Sequence, residues 1–221
     1  MMMDRVIAIL PELNQAFLET LLMVSIALAV AILIGLPFGI LLFVTDRGLF
    51  LENVVVKRVA GLVINLIRSV PFVILLVFLL PFTQFLLNTT IGPLAASVSL
   101  SVAAIPFYAR IVESSARDID KGVIEAAIAV GASPWMIIKS IILPEVKPGL
   151  ITGLTITAIS LIGYSAMAGT IGGGGIGDLA IRYGYYRYDN TIMFTTVIVL
   201  IVLVQVVQYL GDLIARVVSK R

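Results

Sequence analysis

The sequence predicts an all-α integral membrane protein, with five membrane-spanning helices and one long loop on the cytoplasmic side. Hydrophobic residues make up 60% of its 221 residues and charged residues only 13%, whereas a water-soluble domain carries roughly a quarter charged residues to keep its surface solvated. The mean hydropathy is +1.13. Long uncharged runs recur along the chain, and in lipid such a run can satisfy its backbone only as a helix. The same composition excludes several kinds of chemistry. With Cys 0 there is neither a disulfide framework nor a thiolate metal site, and with His 0 there is no imidazole base and no imidazole ligand. A net charge of +2 supplies no basic face for nucleic acid. No catalytic residue, metal site or bound cofactor is expected of this chain.

Roughly twenty apolar residues cross the hydrocarbon core as a helix. The first span, about 17–45, is uncharged from Thr20 to Thr45. Residues 1–15 contain Asp4, Arg5, Pro11 and Glu12 and lack the pattern of a cleaved signal peptide, so this span is expected to act as an uncleaved insertion signal. Within it Pro37 should bend the helix, because it removes one backbone bond and crowds the preceding turn. The stretch 51–67 alternates apolar residues with Lys57, Arg58 and Asn65 at helical spacing, and is predicted to be an amphipathic helix on the cytoplasmic surface. Arg68-Ser69-Val70-Pro71 marks the passage into lipid, with Arg68 snorkelling back to the headgroups. From Ser69 to Ala109 no charge occurs, and the Asn88–Pro93 turn divides this run into a second span, about 69–87, and a third, about 94–112. The fourth covers about 148–170 and the fifth about 190–212. All five belong to a single domain over 1–221.

Five spans place the termini on opposite sides. Of the 15 Lys and Arg, all but Arg5, Arg182 and Arg187 fall on one side, which the positive-inside rule makes cytoplasmic. The N-terminus is then outside and the C-terminus inside.

The cytoplasmic loop, about 113–147, is too polar for hydrocarbon and too patterned for a tether. Asp118 or Asp120 can cap a short helix through Val123–Val130. Gly131 closes it, since glycine tolerates the left-handed conformation of a helix end. Ser133 and Pro134 start a second helix as N-cap and first helical residue, and Pro144 should stop it. Two short helices on a tight turn would make a stiff knob.

Within this loop Glu125-Ala126-Ala127, then Gly131, then Ile141-x-Leu143-Pro144 resembles the EAA loop of the transmembrane permease subunits of bacterial ABC importers. The resemblance implies a coupling helix that docks into a groove on a separate ATPase subunit, present in two copies. Ala126 and Ala127 would let backbones approach closely there, and Glu125 could pair with a basic group. The stretches Gly163–Gly169 and Ile171–Tyr185, with the Arg68–Pro71 segment, are similar to the methionine-uptake permeases. That implies a permease in the bacterial inner membrane, fed by an extracytoplasmic binding protein or lipoprotein, with ATP and Mg used by the partner and not by this chain.

Two motifs are decoys. Gly172-x-Gly174-x-x-Gly177 fits a dinucleotide fingerprint, but no buried strand precedes it. Gly175-Ile176-Gly177-Asp178 echoes intramembrane aspartyl proteases, yet Asp178 and Asp189 stand in a polar outer loop, where they cannot share a proton inside the membrane. The surrounding glycines and Tyr183, Tyr185, Tyr186 and Tyr188 form either an interfacial turn or the outer mouth of a pathway. No span carries a charge near its middle, as an ion-coupled carrier would require, so the energy for transport must come from elsewhere. Five helices are few to enclose a route, which predicts a homodimer with the pathway on its two-fold axis. Tyr164, Ser165 and Met167 are the candidate pathway residues. Small residues of the fourth span, such as Gly153 and Thr157, suit close helix packing. Methionine, in either stereoisomer, is the solute that the resemblance implies. The alternatives are another small amino acid or related solute, or a non-ABC pore or assembly protein.

Overall fold

The computed structural model describes residues 2–219, with side chains from residue 7 onward; Asp4, Arg5, Lys220 and Arg221 of the charge pattern lie outside the described side chains. The described residues are helical apart from short connections, and all the helices lie around one buried core. The first span is much longer than its apolar stretch. α1 (Met2–Val30) runs through a wide π turn at Ala31–Gly35 into α2 (Leu36–Val44). α3 (Val54–Ser69) is followed by α4 (Phe72–Phe78) and α5 (Leu80–Leu87). α6 (Pro93–Arg117) is the central helix and packs on α1 to α5 and on α9 (Leu143–Gly169). α7 (Lys121–Ala129) and α8 (Pro134–Ile137) lie in the connection between α6 and α9, α10 (Gly175–Leu179) is a short helix at the opposite end of the bundle, and α11 (Asn190–Ser219) packs along α9.

Among the described residues four helices are long and apolar enough to cross a membrane, and α3 with α4 meets the same test only as a pair bent by 102° at Val70–Pro71. The second span is therefore not the single helix expected over 69–87. Ser69 closes α3, Val70 is extended (φ −85, ψ 126), and the helix restarts after Pro71, because the residue before proline is excluded from helical geometry. A second break at Leu79 precedes Pro81, which sits in the first turn of α5. Asn53 caps α3 by accepting from the Val55 and Val56 N–H groups. The apolar stripe Val55, Val59, Leu62, Val63 and Leu66 faces outward, as an amphipathic interfacial helix requires, while Ile64 packs inward.

Two prolines sit just after a π turn, and one of them overturns an expectation. Pro144 does not stop the second loop helix. α8 continues through a π turn at Ile138–Ile142 straight into α9, with Pro144 in its first turn. Pro37 likewise follows the π turn at Ala31–Gly35. In each case the residue just before the proline donates to the carbonyl five positions back, Leu36 to Ala31 and Leu143 to Ile138. The extra residue in the wider turn accommodates the proline ring and its missing donor without ending the helix. The fourth span thus begins inside the loop rather than at 148, and the third and fifth run on to Arg117 and Ser219, beyond the expected 112 and 212.

Candidate functional site

The loop between α6 and α9 is a knob built on one true helix. Asp120, rather than Asp118, caps α7, its carboxylate accepting from the Gly122 N–H at 2.8 Å. Gly131 closes α7 with φ +81 and donates to the Ile128 carbonyl at 2.9 Å. Ser133 caps α8, with Pro134 in the first turn. The knob has two faces. Ile119, Ile124, Ala127, Ile137 and Ile142 turn inward and join the main core, which makes it a stiff continuation of the bundle. Glu125 and Ala126 turn outward, amid an exposed apolar crown of Val123, Ile128, Val130, Trp135 and Met136. Ala127, which the motif grouped with Ala126 as a docking surface, packs instead into this chain's own core. Ile141 and Leu143 are half-buried at the base of the knob, beside exposed Pro144. The apolar crown was missed in the sequence. Its signal was present as more large apolar residues than the inner face of so short a loop can bury.

The knob is fastened to the bundle through a charge cluster that sequence reasoning also missed. Glu113, 2% exposed on the last turns of α6, accepts from Lys57 at 2.6 Å, Arg110 at 2.6 Å and Arg117 at 3.0 Å. Arg117 also meets Asp46 at 2.5 Å, and Lys57 meets it at 3.2 Å. Lys57 further donates to the Leu42 carbonyl at 2.8 Å, and Arg110 to Asn65 at 2.7 Å. The end of the first span, α3 and the segment of α6 leading to α7 are so tied together. The legible hint was Glu113 standing three and four residues from Arg110 and Arg117 on one helix face.

The outer end is closed quite differently. The glycine run is not a flexible loop: α10 is buried between α1 and α9. Glu19 accepts from the Gly175 N–H at 2.8 Å and Thr20 from the Ile176 N–H at 3.0 Å, so α1 caps α10. Gly177 lies against the α9 backbone, where a Cβ would collide with Ala166. Asp178 pairs with Arg182 at 2.7 Å, while the Tyr183 hydroxyl donates to Glu12 at 2.8 Å. Tyr185, Tyr186 and Tyr188 remain exposed beyond them.

The three pathway candidates do not converge. Tyr164 stacks on Phe72 with ring centroids 4.5 Å apart and faces a cleft between α4, α6 and α9. Ser165 is 2% exposed, its hydroxyl donating to the Ile162 carbonyl. Met167, one turn beyond Tyr164 along α9, is exposed and is not among the residues that line that cleft. Arg68, expected to reach toward the headgroups, lines the same cleft as Tyr164. Among the described residues no group of His, Cys, Asp and Glu is arranged to hold a metal ion.

Comparison with known proteins places this architecture. Residues 35–221 match the family model described as the binding-protein-dependent transport system inner membrane component. The chain is 45% identical over 212 residues to the methionine import system permease protein of Bacillus subtilis, covering 96% of each. It is 49% identical over 151 residues to the D-methionine transport system permease protein of Salmonella typhi, covering 68% of this chain and 70% of that one. A solved inward-facing conformation of a methionine ABC transporter superimposes with a TM-score of 0.94 at 43% identity, covering 96% of this chain and 98% of the other. The long helices, the knob and these likenesses agree: the chain belongs to the inner membrane components of binding-protein-dependent transport systems, as a multi-pass permease subunit.

Proposed function

We propose that this chain is the permease subunit of an ATP-driven methionine importer, working as a homodimer with two copies of a separate ATPase subunit and fed by an extracytoplasmic binding protein. The observation that carries this reading is the two-faced knob. A rigid inner face is continuous with the core, and an outer apolar crown around Glu125 and Ala126 stands in solvent with nothing of its own chain to cover it. An exposed apolar patch on a stiff support is what a docking surface for a second protein looks like. The relatives named for methionine transport and the superimposed methionine transporter support both the solute and the kind of partner. The distribution of basic residues supports an orientation with the knob and C-terminus cytoplasmic and the N-terminus outside.

In this mechanism ATP is hydrolysed only on the partner, and this chain has no enzymatic role. Closure of the two ATPase subunits pushes the knobs. The inward face of α7 passes the motion to α6 and α9, and the permease swings from inward- to outward-open. The route then receives methionine from the binding protein. The test is reconstitution in proteoliposomes with the ATPase encoded beside it and the binding protein. Uptake of radiolabelled methionine should depend on ATP and on all three components, and the permease alone should hydrolyse no ATP. Concentrative uptake by the permease alone, or preference for an unrelated solute, would overturn the proposal.

A further inference from the structure

One cleft lies apart from both the knob and the outer cap. It opens where the end of α3, α4, α6 and α9 meet and encloses about 190 Å³. Its floor is the stacked pair Phe72 and Tyr164, with planes 9° from parallel. Leu75, Ala103 and Phe107 form the walls, and Arg68 supplies the cleft's cation. Its depth is set by α6, a helix of 25 residues. At 1.5 Å per residue, Ala103 and Phe107 stand roughly 15 and 21 Å from its Pro93 end, near the middle of the span. Arg68 itself is exposed at the mouth of this cleft, and Phe107 on its wall stands one turn of α6 from Arg110 of the ionic cluster. Among the described residues nothing accepts a hydrogen bond from it and no carboxylate pairs with it. A guanidinium without a partner among the described residues, set at the mouth of an aromatic cleft, keeps its donors available to an anionic ligand.

The chemistry of the lining selects a ligand. A guanidinium presents a fork of donors that matches a carboxylate with two parallel bonds. The aromatic floor and aliphatic walls suit an apolar or thioether side chain, since sulfur packs well against ring edges. The only other polar side-chain group in the lining is the Tyr164 hydroxyl. We propose that this cleft is a substrate subsite within the permease, which takes an amino acid by its carboxylate on Arg68 and seats the apolar side chain against Phe72, Tyr164 and Phe107. The inference rests on the importer reading and adds to it the place where the solute pauses and the group that holds it. The site is open on one side, so the hold can be brief.

The test uses the assembled transporter, permease with its ATPase, in detergent and without binding protein. Equilibrium binding of radiolabelled methionine should weaken at least tenfold in Arg68→Gln and be partly restored in Arg68→Lys, and methioninol, which lacks the carboxylate, should not compete. Should Arg68→Gln fail to assemble, Ala103→Phe, which fills the cleft from the opposite wall, should abolish the same binding. Wild-type binding strength in Arg68→Gln or in Ala103→Phe, effective competition by methioninol, or no measurable binding to the wild type would overturn the proposal. Proteoliposome uptake separates this from the reading beneath it. Failure of wild-type uptake sinks the importer itself, whereas wild-type uptake with an unchanged KM in Arg68→Gln sinks only the subsite.

Discussion

The two ends of the bundle solve one problem, holding helices together at a membrane face, with opposite chemistry. At the knob end the joint is ionic: Glu113 gathers three cations from two helices, and Asp46 shares two of them. At the other end the joint is steric. α10 lies so close to α9 that Gly177 has no room for a side chain, and its free N–H groups are capped by Glu19 and Thr20. Long side chains can rotate and exchange partners while keeping their charges paired, but a backbone contact is either made or broken. The ionic end is the one attached to the knob that would receive mechanical work under the proposed function, so tolerance of movement would reside where movement is delivered. The steric end behaves as a fixed fulcrum.

The largest effect is expected at the centre of the ionic joint. Glu113→Ala leaves Lys57, Arg110 and Arg117 facing one another with only Asp46 to share. Removing one partner of a buried ion pair costs about 3–5 kcal/mol, and Glu113 is 3% exposed at its side chain. The variant should melt well below the wild type in detergent. It should also loosen the link between α6 and α3, which keeps the Arg110–Asn65 bond and the apolar packing of Ile64 on Ala109, so that uptake falls further than partner ATP hydrolysis. Equal melting temperatures would show that the cluster is ornamental and that the two ends differ less than their chemistry suggests.

Gly177→Ala comes next and sharpens the opposite side of the comparison. The added methyl meets the Ala166 backbone and cannot move a flexible side chain out of its way. Overpacking of this kind costs about 1–3 kcal/mol. The damage should be confined to the outer end, appearing as faster backbone amide exchange in 169–185 with α7 unaffected. If exchange also rises in α7, the ends are not independent joints.

How much of this was legible in the sequence differs between the two ends. Four of the long apolar helices, the Ser133 cap and the Gly131 stop are local signals, each set by residues within a few positions, and all appear in the structure. The EAA spacing was equally local. What could not be read were features made by distant partners. Glu113 and Lys57 are far apart in the chain, and Glu19 gives no sign that it caps a helix beginning at Gly175. The glycine run read as an interfacial turn or a pathway mouth because glycine serves both loose turns and tight contacts, and only the neighbouring helix decides between them. Pro144 misled for a third reason: a π turn absorbs a proline, and no simple periodicity announces one.

Asp46→Asn should have the smallest effect, because its carboxylate is a quarter exposed and lies at the rim of the cluster. Exposed pairs contribute about 0–1 kcal/mol, and Glu113 keeps both cations engaged when Asp46 is neutralised. The acid limb of the stability curve makes the small contribution visible. Partial burial raises the Asp46 pKa, but the Arg47 N–H and the Lys57 and Arg117 cations outweigh it and hold the carboxyl below its usual 3.8. A depressed carboxylate stabilises the folded state above the unfolded value and loses that contribution as pH falls through the folded one. Wild-type stability should therefore drop below about pH 4, and the Asn variant should begin slightly lower but fall less steeply over the same interval. Identical acid limbs in the two proteins would mean that Asp46 is a spectator, and that Glu113 alone carries the ionic joint.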